Sequence, residues 1–478
     1  MAFNSFEFLW LFPIIFVVYY TLMMCRNGRY AQFGNTFLLL VSYGLYIKWE
    51  PIYAFVLLWV TIVTYWGAKL IYRKNLNKTD GSKSVFVSSL LLAVIPLFFF
   101  KYFNFVNSTM SDALTIVGVT TGLPGLNWVM PLGLSFFTLQ AIGYLADVYL
   151  RRIEVEHNWW HYMLFVSFFP QIASGPISKA KDLLPQIKSN RHFDYVQAVD
   201  GLRWLLWGMF LKVVVADRIG IYVDSILDNY EYESGLSCFI GSLLYTFQIY
   251  GDFAGYSFMA VGVGKLLGFN LINNFNRPYL SQSVTEFWHR WHISLSLWLR
   301  DYIYIPLGGS RCSKLRNYWN IFVTFLVSGI WHGANWTFIV WGAIHGLLQI
   351  IEKMLGLHNM TCQGWLKIFR ILITFLMVNF AWIFFRMPTL SDAIAVCEKI
   401  FCDRSLVWSV SSPYMLVLIM MSLGIVFIKD LSDEFIPTKY QLFSHKYMLV
   451  RWSTYIVLMV MILACGVFDA SQFIYVMF

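Results

Sequence analysis

Ser328-Gly329-Ile330-Trp331-His332-Gly333-Ala334-Asn335-Trp336 places one histidine, followed by a glycine and then an asparagine, between two apolar runs. The runs on either side, 317–332 and 335–351, read as membrane helices. An imidazole there is costly in lipid and marks a functional site by default. A buried neutral imidazole is also a competent proton acceptor near neutral pH. The plainer alternative is a core histidine satisfied by one carbonyl.

The rest of the chain has the same character. Of its 478 residues, 58% are hydrophobic, 19% aromatic and 13% charged. Soluble proteins carry about 25% charged residues. This chain cannot cover a water-facing surface and reads as an all-α polytopic membrane protein. No polar stretch is long enough to fold separately, so residues 1–478 read as one integral membrane domain. The net charge of +9 does not imply nucleic acid, because the basic residues lie mostly in loops between apolar runs. Membrane lipid headgroups or an anionic cofactor suit it better. Seven cysteines without a CxxC argue against a disulfide framework or zinc ribbon. The opening Met1-Ala2-Phe3-Asn4-Ser5-Phe6 lacks a basic n-region, so the first apolar run reads as a span rather than a cleaved signal.

A spanning helix needs about 20 mostly apolar residues. Candidates are 6–24, 33–48, 52–72, 84–104, 129–150, 197–216, 236–258, 317–332, 335–351, 367–386, 413–429 and 449–469. Arg26 and Arg29, then Lys69, Arg73, Lys74, Lys78 and Lys83, then Arg151 and Arg152 mark alternate loops, whereas Lys48 with Glu50 and Lys101 with Asp112 lie between them. That alternation predicts an outside N-terminus. Asp224, Asp228, Glu231 and Glu233 then fall outside, and 286–316 and 352–366 face the cytoplasm.

Residues 317–351 must therefore leave the cytoplasmic side and return to it. The 16 residues from Asn317 to His332 make about 24 Å of helix, short of the ~30 Å hydrocarbon core. The 332–335 turn is predicted at the apex of a hairpin inside the membrane. Irregular backbone at that depth survives only within protein or beside a cavity, so a water-accessible tunnel is expected there. Phe168 to Pro176, with two prolines and a glycine, reads as re-entrant or interfacial. The aromatic and charged stretch 285–305 reads as one amphipathic interfacial helix.

Glu286, His289 and His292, spaced i, i+3, i+6, would share one stripe of that helix. Glu-x-x-His occurs in di-iron carboxylate bundles. The only other copy, Glu154-Val155-Glu156-His157, lies in a charged loop, and most of the nine histidines are loop residues. No metal is expected, and snorkelling side chains on an interfacial helix remain the plain alternative. Pro306 and Gly308-Gly309 make a loop beside Arg311, Lys314 and Arg316 that suits phosphate, although positive-inside charge explains the same residues. Gln248 and Asp252 lie one turn apart in an apolar span. They line a tunnel, hold a histidine or arginine, or accompany helix packing through Gly251 and Gly255. Gln140 is similarly open. No Walker loop, Gly-x-Ser-x-Gly elbow or long acidic tail is present.

Taken together, several motifs resemble the membrane-bound O-acyltransferases, in particular the branch of alginate O-acetyltransferase membrane subunits. They are Trp331-His332-Gly333-Ala334-Asn335-Trp336, Phe287-Trp288 through Ser296, Arg300-Asp301-Tyr302 with Ile305-Pro306-Leu307-Gly308-Gly309, and Gly251-Asp252-Phe253-Ala254-Gly255-Tyr256. Phe3 to Leu9, Pro131 to Phe136, Phe169-Pro170-Gln171 with Gly175-Pro176-Ile177, and Phe384-Phe385-Arg386 extend the likeness over nearly the whole chain. The resemblance implies a ring of helices, thinned at its centre, around a tunnel. It implies transfer from a cytoplasmic acyl thioester, acetyl-coenzyme A or another, to an acceptor outside. It places the essential histidine on His332 and the second motif histidine on His292, whereas His289 stands where arginine is commoner. Asn335, Trp331, Trp336, Gln140, Gln248 and Asp252 become candidate tunnel residues. Arg290, Arg311 and Arg316 become candidate contacts to donor phosphates. The acceptor would be an exported polysaccharide such as alginate, reached directly or through an SGNH-type partner outside the bacterial cytoplasmic membrane. D-Alanyl transfer to teichoic acid is a related expectation. A transporter or flippase, or an inert scaffold for a secreted acyltransferase, are alternatives of another class.

Overall fold

The computed structural model describes residues 3–24, 31–49, 51–77, 80–118, 124–410 and 412–468. Arg26, Arg29, Glu50 and Lys78, used in the charge reading, Cys25 of the cysteine count, and the opening Met1-Ala2 lie outside them. The described residues form helices and connecting loops, with no strand.

Among the described residues six helices are long and apolar enough to cross a membrane: Phe6–Met23, Tyr53–Leu76, Ser82–Ile116, Gly364–Arg386, Pro413–Phe435 and Met448–Cys465. All six leave large apolar side chains exposed, among them Trp10, Phe55, Leu91, Ile368, Met420 and Leu463. Such surface is stable only against lipid, so the chain is a multi-pass membrane protein. Two of the remaining expected spans, in Leu134–Tyr149 and Gly235–Leu266, are mostly enclosed by protein. Leu134–Tyr149 is buried along almost its whole length and carries Ser135, Thr138, Gln140 and Asp147. Polar residues at membrane depth face protein rather than lipid. Its 16 residues make about 24 Å of helix, so the centre is built from short elements.

Several boundaries differ from the sequence reading. The 129–150 run is helical only from Leu134, because Gly133 adopts φ +71°. A Cβ at Gly133 would lie 1.8 Å from the Ile172 carbonyl oxygen, so the broken 168–176 segment is pressed against this turn. The 197–216 span continues through Phe210–Ala216 into Asp217–Leu227. A short helix, Leu390–Cys402, was not foreseen.

The Lys314–His332 and Trp336–Met354 helices form the expected hairpin around Gly333-Ala334-Asn335. Gly329 and Gly342 allow the crossing: added Cβ atoms would sit 2.3 Å from the Phe338 carbonyl and 2.4 Å from the Phe325 carbonyl. Small residues let helix backbones approach this closely.

The 285–305 stretch is not one helix. It breaks into Val284–Arg290, Ile293–Leu299 and a π-helical turn, Arg300–Tyr304. Glu286, His289 and His292 therefore do not share a stripe. His292 sits at the break in the left-handed region, φ +41°. The loop before it holds it there: Asn276 N–H donates to the Arg290 carbonyl, Ile293 N–H to the Asn274 carbonyl, and Ser294 N–H to Asn274 Oδ1. Left-handed backbone at a bulky residue costs of order 1–3 kcal/mol and persists where the surroundings over-determine it.

Candidate active site

His332 ends the first hairpin helix, where the last carbonyls have no partner within the helix. Two consecutive residues supply partners from outside. Lys101 Nζ donates to the Trp331 and His332 carbonyls at 2.7 and 2.9 Å, and Tyr102 Oη donates to the Ile330 carbonyl at 2.9 Å. Both residues belong to the π-helical turn Phe98–Tyr102. Such turns are frequent at functional sites. A cation at a helix C-terminus is also favoured by the helix dipole.

The His332 side chain is buried in an aromatic wall. Its ring centroid lies 4.8 Å from Trp331, 4.9 Å from Trp341 and 5.4 Å from Phe385. Trp341 in turn lies 4.9 Å from His345, whose Nδ1 accepts a 3.2 Å hydrogen bond from Trp288 Nε1. On the other flank Trp331 lies 5.9 Å from His292, which is wholly buried and packs edge-on against Phe253 at 4.6 Å. Neither His292 ring nitrogen has a hydrogen-bond partner among the described residues. Trp331 thus separates the two motif imidazoles, and Trp341 separates His332 from His345.

Cavities lie on both sides of this wall. One of about 310 Å³ is lined by Trp288, His289, Ser296, Arg300, Gln349 and Lys353, among others. A neighbouring cleft of about 170 Å³ shares Leu297 and Arg300 with it and adds Lys179 and Lys181. The opposite cavity, about 650 Å³, is lined by Lys101, Asp224, Asp228, Gln248, the Gly333-Ala334-Asn335 turn and Arg386. His332 itself borders a pocket of only about 20 Å³, beside Lys101 and Trp331. The two large cavities share no lining residue, and Trp288, His345, Trp341 and His332 stand between them.

Lys101, Asp224 and Asp228, whose loops the charge reading assigns to the outside, line the larger cavity, and Arg300 and Lys353, assigned to the cytoplasm, line the 310 Å³ cavity. Glu7 and Lys48, both assigned outside, form an ion pair at 3.0 Å.

The other candidate residues fall into place unevenly. Asn335 is an N-cap: its Oδ1 accepts from Thr337 N–H and its Nδ2 donates to the Pro388 carbonyl. Trp336 is half exposed and lies edge-on to Phe105. Gln140 is held in a buried chain, donating to the Phe165 carbonyl and accepting from Gln171, which accepts from Ser178. Asp252 does not face the wall; it and Asp217 flank Lys212 at 2.7 and 2.5 Å, all three buried. Gly251 and Gly255 serve close packing, with added Cβ atoms 2.9 and 2.8 Å from the Leu211 and Gly208 carbonyls. Gln248 lines the 650 Å³ cavity.

Arg290 departs most clearly from the expected phosphate role, because it grips Glu434 with both terminal nitrogens and pairs with Glu286. Burial lowers its pKa, but those carboxylates more than compensate and raise it. Arg311 and Arg316 are exposed and line neither the 310 Å³ nor the 170 Å³ cavity. The cations that do line them are Arg300, Lys179, Lys181 and Lys353. Asp301 binds Arg300 and Lys179. Burial raises its pKa, but those two partners outweigh burial and hold the carboxyl below its ordinary range. Among the described residues no group of three His, Cys, Asp or Glu is arranged to hold a metal.

Sequence reasoning passed over Lys101, Tyr102, Trp341 and His345 as site residues. His345 had one local signal, its i+4 spacing from Trp341 on a helix face. Lys101 looked like an ordinary charge at the end of a span.

The family profile described as MBOAT, membrane-bound O-acyltransferase family, matches residues 148–390. The chain is 36% identical over 401 residues to the probable alginate O-acetylase AlgI of Pseudomonas aeruginosa, covering 84% of this chain and 75% of that protein. It is 34% identical over 427 residues to a peptidoglycan O-acetyltransferase of Helicobacter pylori, covering 83% and 79%. It is 25% identical over 399 residues to a teichoic acid D-alanyltransferase of Bacillus subtilis, covering 80% and 97%. With a half-chain profile match and relatives above 30% identity over most of both lengths, the chain belongs to the membrane-bound O-acyltransferase family and is an O-acyltransferase.

Proposed function

We propose that this protein moves an acetyl group from a cytoplasmic thioester to a hydroxyl of an exported polysaccharide, with His332 as general base. One observation carries the reading: His332 is part of the wall between cavities whose linings bear the charge signatures of opposite membrane faces. The names of the alginate and peptidoglycan relatives support a glycan acceptor and an acetyl group. The protein would act in the bacterial cytoplasmic membrane.

The donor, acetyl-coenzyme A or another acetyl thioester, enters past Arg300, Lys179 and Lys181. These cations suit its phosphates. Its acyl end passes the wall by displacing aromatic side chains near Trp288 and Trp341. The acceptor hydroxyl approaches from the larger cavity. Its oxygen attacks the thioester carbonyl while His332 takes its proton. The C–O ester bond forms, the C–S bond breaks, and the departing thiolate recovers the proton as a thiol. General-base help is worth about 10²–10⁴-fold, and holding both substrates at one point in the membrane adds proximity. The hydroxyl belongs to the glycan or to a relay residue of an SGNH-type partner outside. Asp252, bound to Lys212, is not placed on a polar path beside the wall, which disfavours the flippase reading.

His332→Ala should abolish glycan O-acetylation in cells, read by mass spectrometry of surface polysaccharide, with the protein still present in the membrane. Acetylation at the wild-type level in that variant would refute the role.

A further inference from the structure

The outer cavity contains two buried polar groups that the fold leaves unanswered. Tyr245 and Gln248 lie nearly one turn apart on the Gly235–Leu266 helix and both line the 650 Å³ cavity. Tyr245 is 2% exposed and Gln248 8% exposed. Neither Tyr245 Oη nor Gln248 Oε1 has a hydrogen-bond partner among the described residues. An unsatisfied buried polar atom is disfavoured by about 1–3 kcal/mol, and such groups are rare unless something binds them. Their chemistry is complementary: a phenol O–H donates, and an amide oxygen accepts. An alcohol can satisfy both, accepting from Tyr245 while its own O–H donates to Gln248. The same cavity is bounded by the turn that follows His332.

We propose that Tyr245 and Gln248 form the subsite that binds and orients a hydroxyl of the acyl acceptor. The inference rests on the acyl-transfer reading above and adds the residues that hold the acceptor. The chemical class is a polyol such as a sugar, which presents several hydroxyls, at least one held by this pair.

Tyr245→Phe and Gln248→Leu remove the polar atoms while nearly keeping shape. The purified variants are assayed with acetyl-coenzyme A as donor and a mannuronate oligosaccharide as acceptor. Each is expected to raise the acceptor KM at least tenfold and to leave the donor KM within twofold. Thermal unfolding midpoints should stay level or rise, because an unpaired buried polar group is being removed. A merely structural hydrogen-bonding role would lower the midpoint instead. An acceptor KM within twofold of wild type, or a lowered midpoint with both KM values changed alike, overturns the inference. Wild-type protein that ignores the oligosaccharide in vitro, while glycan acetylation in cells still depends on His332, also overturns it and spares the acyl-transfer reading. Loss of the His332 dependence itself would instead remove that reading.

Discussion

His332 was legible as a candidate site residue because an imidazole between apolar runs needs a reason to be there. Its support was not legible. Lys101 stands more than two hundred positions away, and nothing local distinguishes it from a charge marking the end of a span. Only the folded chain shows its ammonium on the Trp331 and His332 carbonyls. Lys101→Met should leave both acceptors buried without that donor, at about 1–3 kcal/mol for each unsatisfied group. The expected outcome is a lower unfolding midpoint in detergent and at least tenfold slower transfer. Tyr102→Phe, which releases only the Ile330 carbonyl, should show a smaller effect on both. Arg290 illustrates the opposite error. Its charge was read as available, yet Glu434, far along the chain, occupies its guanidinium.

At the scale of elements, the hairpin was readable because two apolar runs flank a Gly-Ala-Asn turn, and Asn335 caps the second helix as its residue type favours. The break at 291–292 was not readable, since the aromatic and charged pattern runs through it. It is imposed by the 274–276 loop, whose hydrogen bonds to 290–294 replace those of a continuous helix. The Leu390–Cys402 helix did leave a signal: Thr389 precedes it and its side chain accepts from Asp392 N–H, a capping pattern overlooked beside stronger membrane signals. Asn274→Ala tests the break. It removes the Oδ1 that receives Ser294 N–H at a wholly buried site. The expected result is about 1–3 kcal/mol of lost stability, and a fall in transfer rate as His292 loses its fixed place beside Trp331. Unfolding midpoints and initial rates on one preparation would show both.

For the whole molecule, composition and loop charge were enough to read a multi-pass helical protein and to divide its loops between two sides. They could not show which side chains stand between the two large cavities. A tunnel follows from the need to bring substrates to a deep histidine, whereas the aromatic wall depends on side chains from distant segments: Trp288, Trp331, Trp341, His345 and Phe385. The wall packs aromatic rings around the histidine, with a cavity on each side of it. On the proposed route, some of these aromatic rings would have to move for a donor to reach His332.

The most direct measurement is sided cysteine labelling in intact cells and inverted vesicles, after replacing the seven native cysteines. Ala334→Cys reports the cavity that holds the hairpin apex, and Gln349→Cys reports the cavity that holds Arg300. With a membrane-impermeant maleimide, the first should react only from outside and the second only from the cytoplasmic side. Modification of both from the same face would contradict the claim that His332 stands between chambers belonging to opposite sides of the membrane.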